Sequence, residues 1–187
     1  MTRFALALAL CVFVSAPAFA QVHTYKVLAT SKTSTMQKEM QEAGEAGYRF
    51  VAVMGGETAI GGKEVVVLME KKSGETGTYG YRLLATSRTG TLQKELQESA
   101  DAGFFVVGQT VFESMFGGKE TAAIVEKSSA ASGDRFEYKL VATSKTSTLE
   151  KELQELADAG YQAVGLTVGK TSFGGSEIVV ITRRKAK

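Results

Sequence analysis

The sequence predicts an α+β fold built from three tandem strand, helix, strand, strand units, and three observations predict it. A segment of about 47 residues recurs without a gap, starting at Tyr25, Tyr81 and Tyr138. Each copy combines helical periodicity with strand-like apolar runs. A Gly-Gly pair stands at the same distance in every copy, at 61–62, 117–118 and 174–175. Self-similarity at a fixed period indicates a repeat of one supersecondary unit.

The repeats set the predicted domain boundaries. A leader occupies 1–20, and the units occupy 25–72, 81–128 and 138–185. Copies two and three share 26 of 47 aligned residues, so duplication is their natural origin. The segments between the units are small and polar and are typical of linkers. A site in one unit is therefore expected in the others.

The first half of each unit predicts a strand, a polar turn and a helix. The first strand alternates from side to side, starting at Tyr25. Ser34 stands three residues before Gln37, and Ser147 three before Glu150. This is the spacing of a capping box, so we expect these serines to be helix N-caps.

One side of each predicted helix is apolar, and a glycine follows its last turn. The apolar residues recur at helical spacing, which predicts that they face the core. The glycines are expected to take the left-handed conformation that ends a helix. The apolar sets are Met36, Met40 and Ala43, then Leu92, Leu96 and Ala100, then Leu149, Leu153 and Leu156, and the glycines are Gly47, Gly103 and Gly160.

The last strand of each unit predicts how the units pack. It is continuously apolar (65–69, 122–125 and 178–181), as in strands buried on both faces. One helix covers only one face of a three-stranded sheet, so a neighbouring unit is expected to cover the other. We therefore predict a pseudo-threefold body in which the third strand is central, the helices lie outside, and the first and second strands run parallel.

The N-terminus predicts export. Arg3 precedes an apolar run of 11 residues from Phe4 to Val14, and 18–20 form a small-x-small cleavage site. This pattern is typical of a secretory signal peptide, and we expect a periplasmic or secreted protein after cleavage near Ala20. The run is shorter than the roughly 20 residues of a membrane-spanning helix, so no span is expected in the mature chain. The only cysteine, Cys11, lies in the leader, so the mature chain has none.

Composition argues against several classes of function. Without Arg3 the chain carries 21 basic and 20 acidic side chains, a balance that argues against a nucleic-acid partner. His23 is the single histidine, which excludes histidine-based triads and clustered histidine metal sites. At the third position after cleavage it could form a terminal Cu(II) or Ni(II) site, but chance placement explains it better. We predict no catalytic residue, no metal site and no cofactor.

Several short motifs resemble a known family. The opening Tyr-Lys-Leu-Val, the helical Leu-Gln-Glu-Leu and the Ala-Gly-Tyr-Gln at the helix end are similar to the short domain-of-unknown-function family whose helix ends in Gly-Trp-Glu. Here the tryptophan position carries tyrosine or phenylalanine, at Tyr48, Phe104 and Tyr161. The resemblance implies the same βαββ fold and lends no activity.

The turn before each helix is the first candidate site. It combines hydroxyl residues with a cation at a helix N-terminus, where free amides attract anions. The predicted anion-binding residues are Ser31, Lys32, Ser34, Ser87, Arg88, Ser144, Lys145 and Ser147. Ordinary turn and cap residues beside a solvated cation would produce the same sequence pattern, and this is the structural alternative.

The loop before each Gly-Gly pair is the second candidate. It carries exposed-looking apolar residues that could contact a partner, at Ile60, Met115, Phe116 and Phe173. Folding back over the sheet edge is the structural alternative.

These features favour a non-enzymatic exported binding or interaction protein, whose partner could be a protein or a small anionic ligand. An envelope hydrolase or transferase, with a hydroxyl, a lysine and a carboxylate across a groove between units, is the alternative from another class. A purely structural repeat protein is the third possibility. An enzyme needs one cleft with converging polar groups, whereas a repeat binder should show similar patches three times.

Overall fold

The structure is a computed structural model that describes residues 22–58, 62–113, 118–130, 133–170 and 176–186. It confirms the predicted α+β fold of three βαββ units. The elements of unit 1 are β1 (His23–Thr30), α1 (Thr33–Glu45), β2 (Arg49–Thr58) and β3 (Gly62–Lys72). Those of unit 2 are β4 (Tyr79–Thr86), α2 (Thr89–Asp101), β5 (Phe105–Glu113) and β6 (Lys119–Ser128). Those of unit 3 are β7 (Phe136–Thr143), α3 (Thr146–Asp158), β8 (Gln162–Lys170) and β9 (Ser176–Lys185).

Each unit forms its own three-stranded sheet, with the last strand in the centre. The orders are β1-β3-β2, β4-β6-β5 and β7-β9-β8, and every pairing is antiparallel. The two outer strands of a sheet are therefore parallel to each other, as predicted. The second strand of each unit carries an irregularity at the same place, between Phe50 and Ala52 in unit 1.

The helices end as the sequence predicts. Gly47, Gly103 and Gly160 have φ values of 86°, 84° and 83°. In α1 the amide of Tyr48 donates to the carbonyl of Ala43 at 2.9 Å, which is the long bond of a Schellman motif. The other two helices repeat this bond. Glycine is needed here because the left-handed region is costly for residues with a Cβ.

The prediction that the helices lie outside was wrong for α1 and α2, which each lie between two sheets because their apolar residues pack on both. Apolar residues of α1 pack on their own sheet and on the near face of sheet 2. Apolar residues of α2 pack in the same way between sheets 2 and 3. The first core includes Met36, Met40, Val67, Met69, Tyr81 and Ile124, and the second includes Leu92, Leu96, Val125, Tyr138 and Ile181. The units thus pack on each other, as predicted.

Burial of the central strands corrects one prediction. Residues 121–126 of β6 and 179–182 of β9 are continuously buried, in agreement with two covered faces. In β3 only alternate residues, Val65, Val67 and Met69, are buried, and Val66 and Leu68 are half-buried. The prediction was wrong for β3 because no helix among the described residues lies on the second face of sheet 1, whereas α1 and α2 cover the corresponding faces of sheets 2 and 3.

In the described part of the chain, one face of unit 1 and the helix of unit 3 are consequently left uncovered. Tyr81 and Tyr138 are 2% and 3% exposed, whereas the equivalent Tyr25 is 58% exposed. At the other end, α3 contributes no buried residue, although its sequence is as amphipathic as those of α1 and α2. In the part of the chain that the structure describes, no helix is long and apolar enough to cross a membrane.

Candidate functional site

The predicted anion turns have one geometry in all three units, and it differs from the predicted capping box. The helices begin at Thr33, Thr89 and Thr146, and their N-caps are Lys32, Arg88 and Lys145, which make no side-chain cap bond. Ser34 and Ser147 therefore lie inside the first turn, and their prediction as N-caps was wrong. In unit 1 the expected partner in the box, Gln37, bonds to β4 instead. In unit 3 the extended backbone of Lys145 (φ −116°, ψ 122°) makes that residue the N-cap and places Ser147 inside the helix.

A threonine organises each turn. The hydroxyl of Thr30 accepts a hydrogen bond from the amide of Lys32 at 3.1 Å, and Thr86 and Thr143 repeat this bond with Arg88 and Lys145. This is the local side-chain turn that threonine commonly forms. The first-turn amides of the helices receive no side-chain cap.

The three turns have different surroundings. Ser31 lines a groove that residues of all three units form. Ser87 and Arg88 line a small cleft that also contains the carboxylate of Glu177. Ser144 and Lys145 are exposed, as is Ser147. The structure does not bring the predicted anion-binding residues together in one site, and their anion binding stays a prediction.

The predicted partner-contact residues Ile60, Met115, Phe116 and Phe173 lie outside the described residues. His23 lies at the start of β1, where its Nδ1 is 3.1 Å from a carboxylate oxygen of Glu70 and its ring stacks on Tyr25. Across the described ranges, no three His, Cys, Asp or Glu residues cluster in a way that could hold a metal ion.

A groove of about 530 Å³ is formed by all three units. Strands β2, β5 and β8 supply its walls, and Ser31 and the base of the β2–β3 hairpin complete it. Three large apolar side chains stand open in it. Met54 is 74% exposed, and Leu166 and Val168 are each 64% exposed. The groove therefore presents apolar surface to solvent.

A close approach of β2 and β5 shapes the groove. A Cβ at Gly55 would lie 2.8 Å from the carbonyl oxygen of Val111, a distance that real Cβ atoms do not show. Glycine at this position thus lets the two strands come together. The bases of the β2–β3 and β5–β6 hairpins then face the same cavity.

An ion-pair cluster lies along the groove. The Nζ of Lys63 donates to Glu113 at 2.6 Å, and Lys119 approaches the other carboxylate oxygen at 3.6 Å. The hydrogen bond from Lys63 holds the pKa of Glu113 below its ordinary value, and the same bond raises the pKa of Lys63. Both groups are charged at neutral pH, so neither is poised to exchange a proton there.

A second cavity, of about 360 Å³, lies near the boundary of units 2 and 3 and is rich in aromatic residues. The guanidinium of Arg183 lies 4.7 Å from the ring centroid of Phe136. Its Nη1 atom is buried and has no hydrogen-bond partner among the residues that the structure describes.

Sequence reasoning missed the groove residues. Leu166 and Val168 stand two residues apart in β8, which is a signal for one common side. That signal does not tell whether the side is a core or an open surface. Only the positions of β2 and β5 decide that Leu166 and Val168 line a groove.

By its fold and its groove, the protein belongs to the class of three-unit βαββ repeat proteins, with a groove that the units share. No protein-family model matches the chain, and comparisons with curated proteins and with solved structures find no match. The resemblance to the short family with the Gly-Trp-Glu helix end therefore stays a prediction.

Proposed function

We propose that the protein is an exported, non-enzymatic binding protein whose shared groove takes a small amphipathic ligand. One observation carries the proposal. Of the seven large apolar side chains that are exposed in the described part of the chain, three (Met54, Leu166 and Val168) line this groove. Exposed apolar residues gathered in one concave place mark a binding site more often than scattered ones do.

The groove suits a ligand with an apolar body and a polar end. Its volume of about 530 Å³ is in the usual range of small-molecule pockets. The apolar residues are accompanied by Lys63, Lys119 and Glu113, which could orient a polar group. Export is supported by the leader at 1–20. The ion-paired state of Lys63 and Glu113 supports binding over acid–base catalysis.

A fluorescent amphiphile such as anilinonaphthalene sulfonate, and then a medium-chain fatty acid as competitor, test this function. Leu166→Asp places a charge in the groove and should weaken binding at least tenfold. Val22→Asp is the matched control, because Val22 is equally exposed at 64% and lies outside the groove. Equal loss in both variants, or no saturable binding to the unaltered protein, would contradict the proposal.

Anion binding at the helix N-termini is the second candidate. The observation that favours it is that the three N-caps, Lys32, Arg88 and Lys145, make no side-chain cap bond. Free amides and a neighbouring cation are the ingredients of an anion site.

A further inference from the structure

At the interface between units 1 and 2, α1 lies on one edge and one face of sheet 2. Gln37 Nε2 donates to the carbonyl of Tyr81 at 2.8 Å, and Gln37 Oε1 accepts from the amide of Leu83 at 2.5 Å. Gln41 Oε1 accepts from the amide of Tyr81 at 3.0 Å. The Tyr81 hydroxyl accepts from the amide of Phe50 at 2.8 Å. The two glutamines thus cover the outer edge of β4.

Units 2 and 3 repeat these glutamine and tyrosine hydrogen bonds. Gln93 bonds to the carbonyl of Tyr138 and the amide of Leu140, at 2.6 and 2.7 Å. Gln97 Oε1 accepts from the amide of Tyr138 at 3.1 Å. The Tyr138 hydroxyl accepts from the amide of Val106 at 2.9 Å. The same geometry is therefore specified twice by the sequence.

Both halves of a third such interface remain, at opposite ends of the chain. One half is the uncovered face of sheet 1, which carries Tyr25, Val27 and Val51, exposed by 58%, 64% and 42%. Their equivalents in units 2 and 3 are packed against α1 and α2, at Tyr81, Leu83 and Val107 and at Tyr138, Leu140 and Val164. The other half is the α3 face, which carries Glu150, Gln154 and Ala157 at the positions of Gln37, Gln41 and Gly44.

The sequence of β3 is typical of a strand that is buried on both faces of its sheet. The run 65–69 is Val-Val-Val-Leu-Met, yet Val66 and Leu68 are only half-buried in the single chain. The equivalent Ala122 and Ile124 of β6 are fully buried beneath α1. Strands buried on one face normally alternate with polar residues, and β3 does not.

From these observations we infer that the α3 face of one chain docks on the uncovered face of a second copy, so that copies associate head to tail. The contact would continue the internal interface between units. Gln154 would accept from the amide of Tyr25, and the hydroxyl of Tyr25 would accept from the amide of Ala163, the equivalent of Phe50. Because the two faces differ, the interface is heterologous, and each added copy leaves one of each face free.

One substitution makes this junction weaker than the internal interfaces. Glu150 replaces the glutamine found at Gln37 and Gln93. A carboxylate can accept from the amide of Val27, but it cannot donate to the carbonyl of Tyr25. The junction therefore lacks one hydrogen bond and must desolvate a charge, which keeps the association reversible.

Sedimentation velocity of the full chain over a range of concentrations tests this inference. We expect reversible association that Tyr25→Asp and Ala157→Arg each abolish. Tyr25 and Ala157 are exposed in the single chain, so circular dichroism should show that both variants fold. Glu150→Gln should restore the missing bond and tighten association roughly three- to tenfold.

Mixing the two blocked variants gives the decisive result. Tyr25→Asp keeps a working α3 face, and Ala157→Arg keeps a working sheet face. Together they should form a dimer and nothing larger, whereas each alone stays monomeric. A monomer at every concentration, association unchanged in the variants, or no dimer on mixing would overturn the inference. The last outcome would identify a symmetric contact.

Discussion

The phenol of Tyr81 donates a 2.9 Å hydrogen bond to Glu126, and both residues are almost completely buried between units 1 and 2. Arg49 completes the group, with its Nε 3.1 Å from the other carboxylate oxygen of Glu126. Burial raises the pKa of Tyr81 far above its ordinary value, and the nearby Glu126 charge adds to the effect. A buried carboxylate is tolerated here because both of its oxygens are bonded.

Tyr81→Phe should destabilise the protein by about 1–3 kcal/mol, because it leaves one oxygen of buried Glu126 and the amide of Phe50 without their partner. Urea unfolding followed by circular dichroism measures this. Tyr25→Phe is the matched control at the equivalent, exposed position of unit 1 and should change the free energy of unfolding little. Equal effects in the two variants would show that the network is not what stabilises the interface.

Gly44→Ala should separate α1 from β4. A Cβ at Gly44 would collide with the carbonyl oxygen of Tyr79 and lie 2.8 Å from the ring of Tyr81. Overpacking of this kind costs about 1–3 kcal/mol and outweighs the gain in helix propensity. Gly90→Ala is the control, because nothing lies within 4 Å of a Cβ there. Thermal unfolding should show a lower midpoint for the first variant and an unchanged or higher one for the second.

Acid should weaken unit 3 through Glu137. The hydrogen bond from Arg184, whose Nη2 is 2.6 Å away, holds the pKa of Glu137 below the ordinary 4.5. A carboxylate whose pKa is lower in the folded state contributes stability above pH 4.5 and loses it as pH falls through the folded-state value. The difference in unfolding free energy between the unaltered protein and Glu137→Gln should therefore be constant near neutral pH and shrink below pH 4.5.

The matched control for this pH series is Glu155→Gln. Its partner Lys151 is 3.9 Å away and both side chains are exposed, so the pair should contribute little at any pH. A difference curve for Glu137→Gln that stays flat down to the acid transition would contradict the prediction.

Replacing Lys32, Arg88 and Lys145 together by Ala should weaken binding of sulfate or phosphate and flatten its salt dependence. Exposed cations add only about 0–1 kcal/mol to folding, so stability should hardly change. Calorimetric titration at low salt measures the binding. No detectable binding at millimolar ligand, or unchanged binding in the triple variant, would contradict anion binding at these turns.

Ser34→Ala tests whether Ser34 acts as the N-cap of α1 or as an ordinary residue of its first turn. Because the N-cap is Lys32, we expect a change below about 0.5 kcal/mol, where a true serine cap would cost about 1 kcal/mol. Urea unfolding decides between these values.

The repeat, the helices and their glycine ends could all be predicted from the sequence. These features depend on spacing within about 20 residues, as in the Met36 and Met40 stripe that ends at Gly47. The central position of the last strand in each unit could also be predicted from the sequence, because a continuous apolar run is typical of a strand with neighbours on both sides. The residues of the shared groove did not follow, because three units contribute to it.

The sequence by itself determined three βαββ units that must cover one another, since local periodicity and repetition fix each unit and its apolar surfaces. Only the tertiary structure decided which surfaces meet. Gln37 has the spacing of a capping residue, yet its amide bonds to residues 44 and 46 positions away, because the edge of β4 lies within its reach. Tyr25 and Tyr81 stand in nearly the same local sequence, and one is exposed while the other is buried. Burial depends on what lies against the unit in space, and no helix in the described part of the chain covers this face of unit 1.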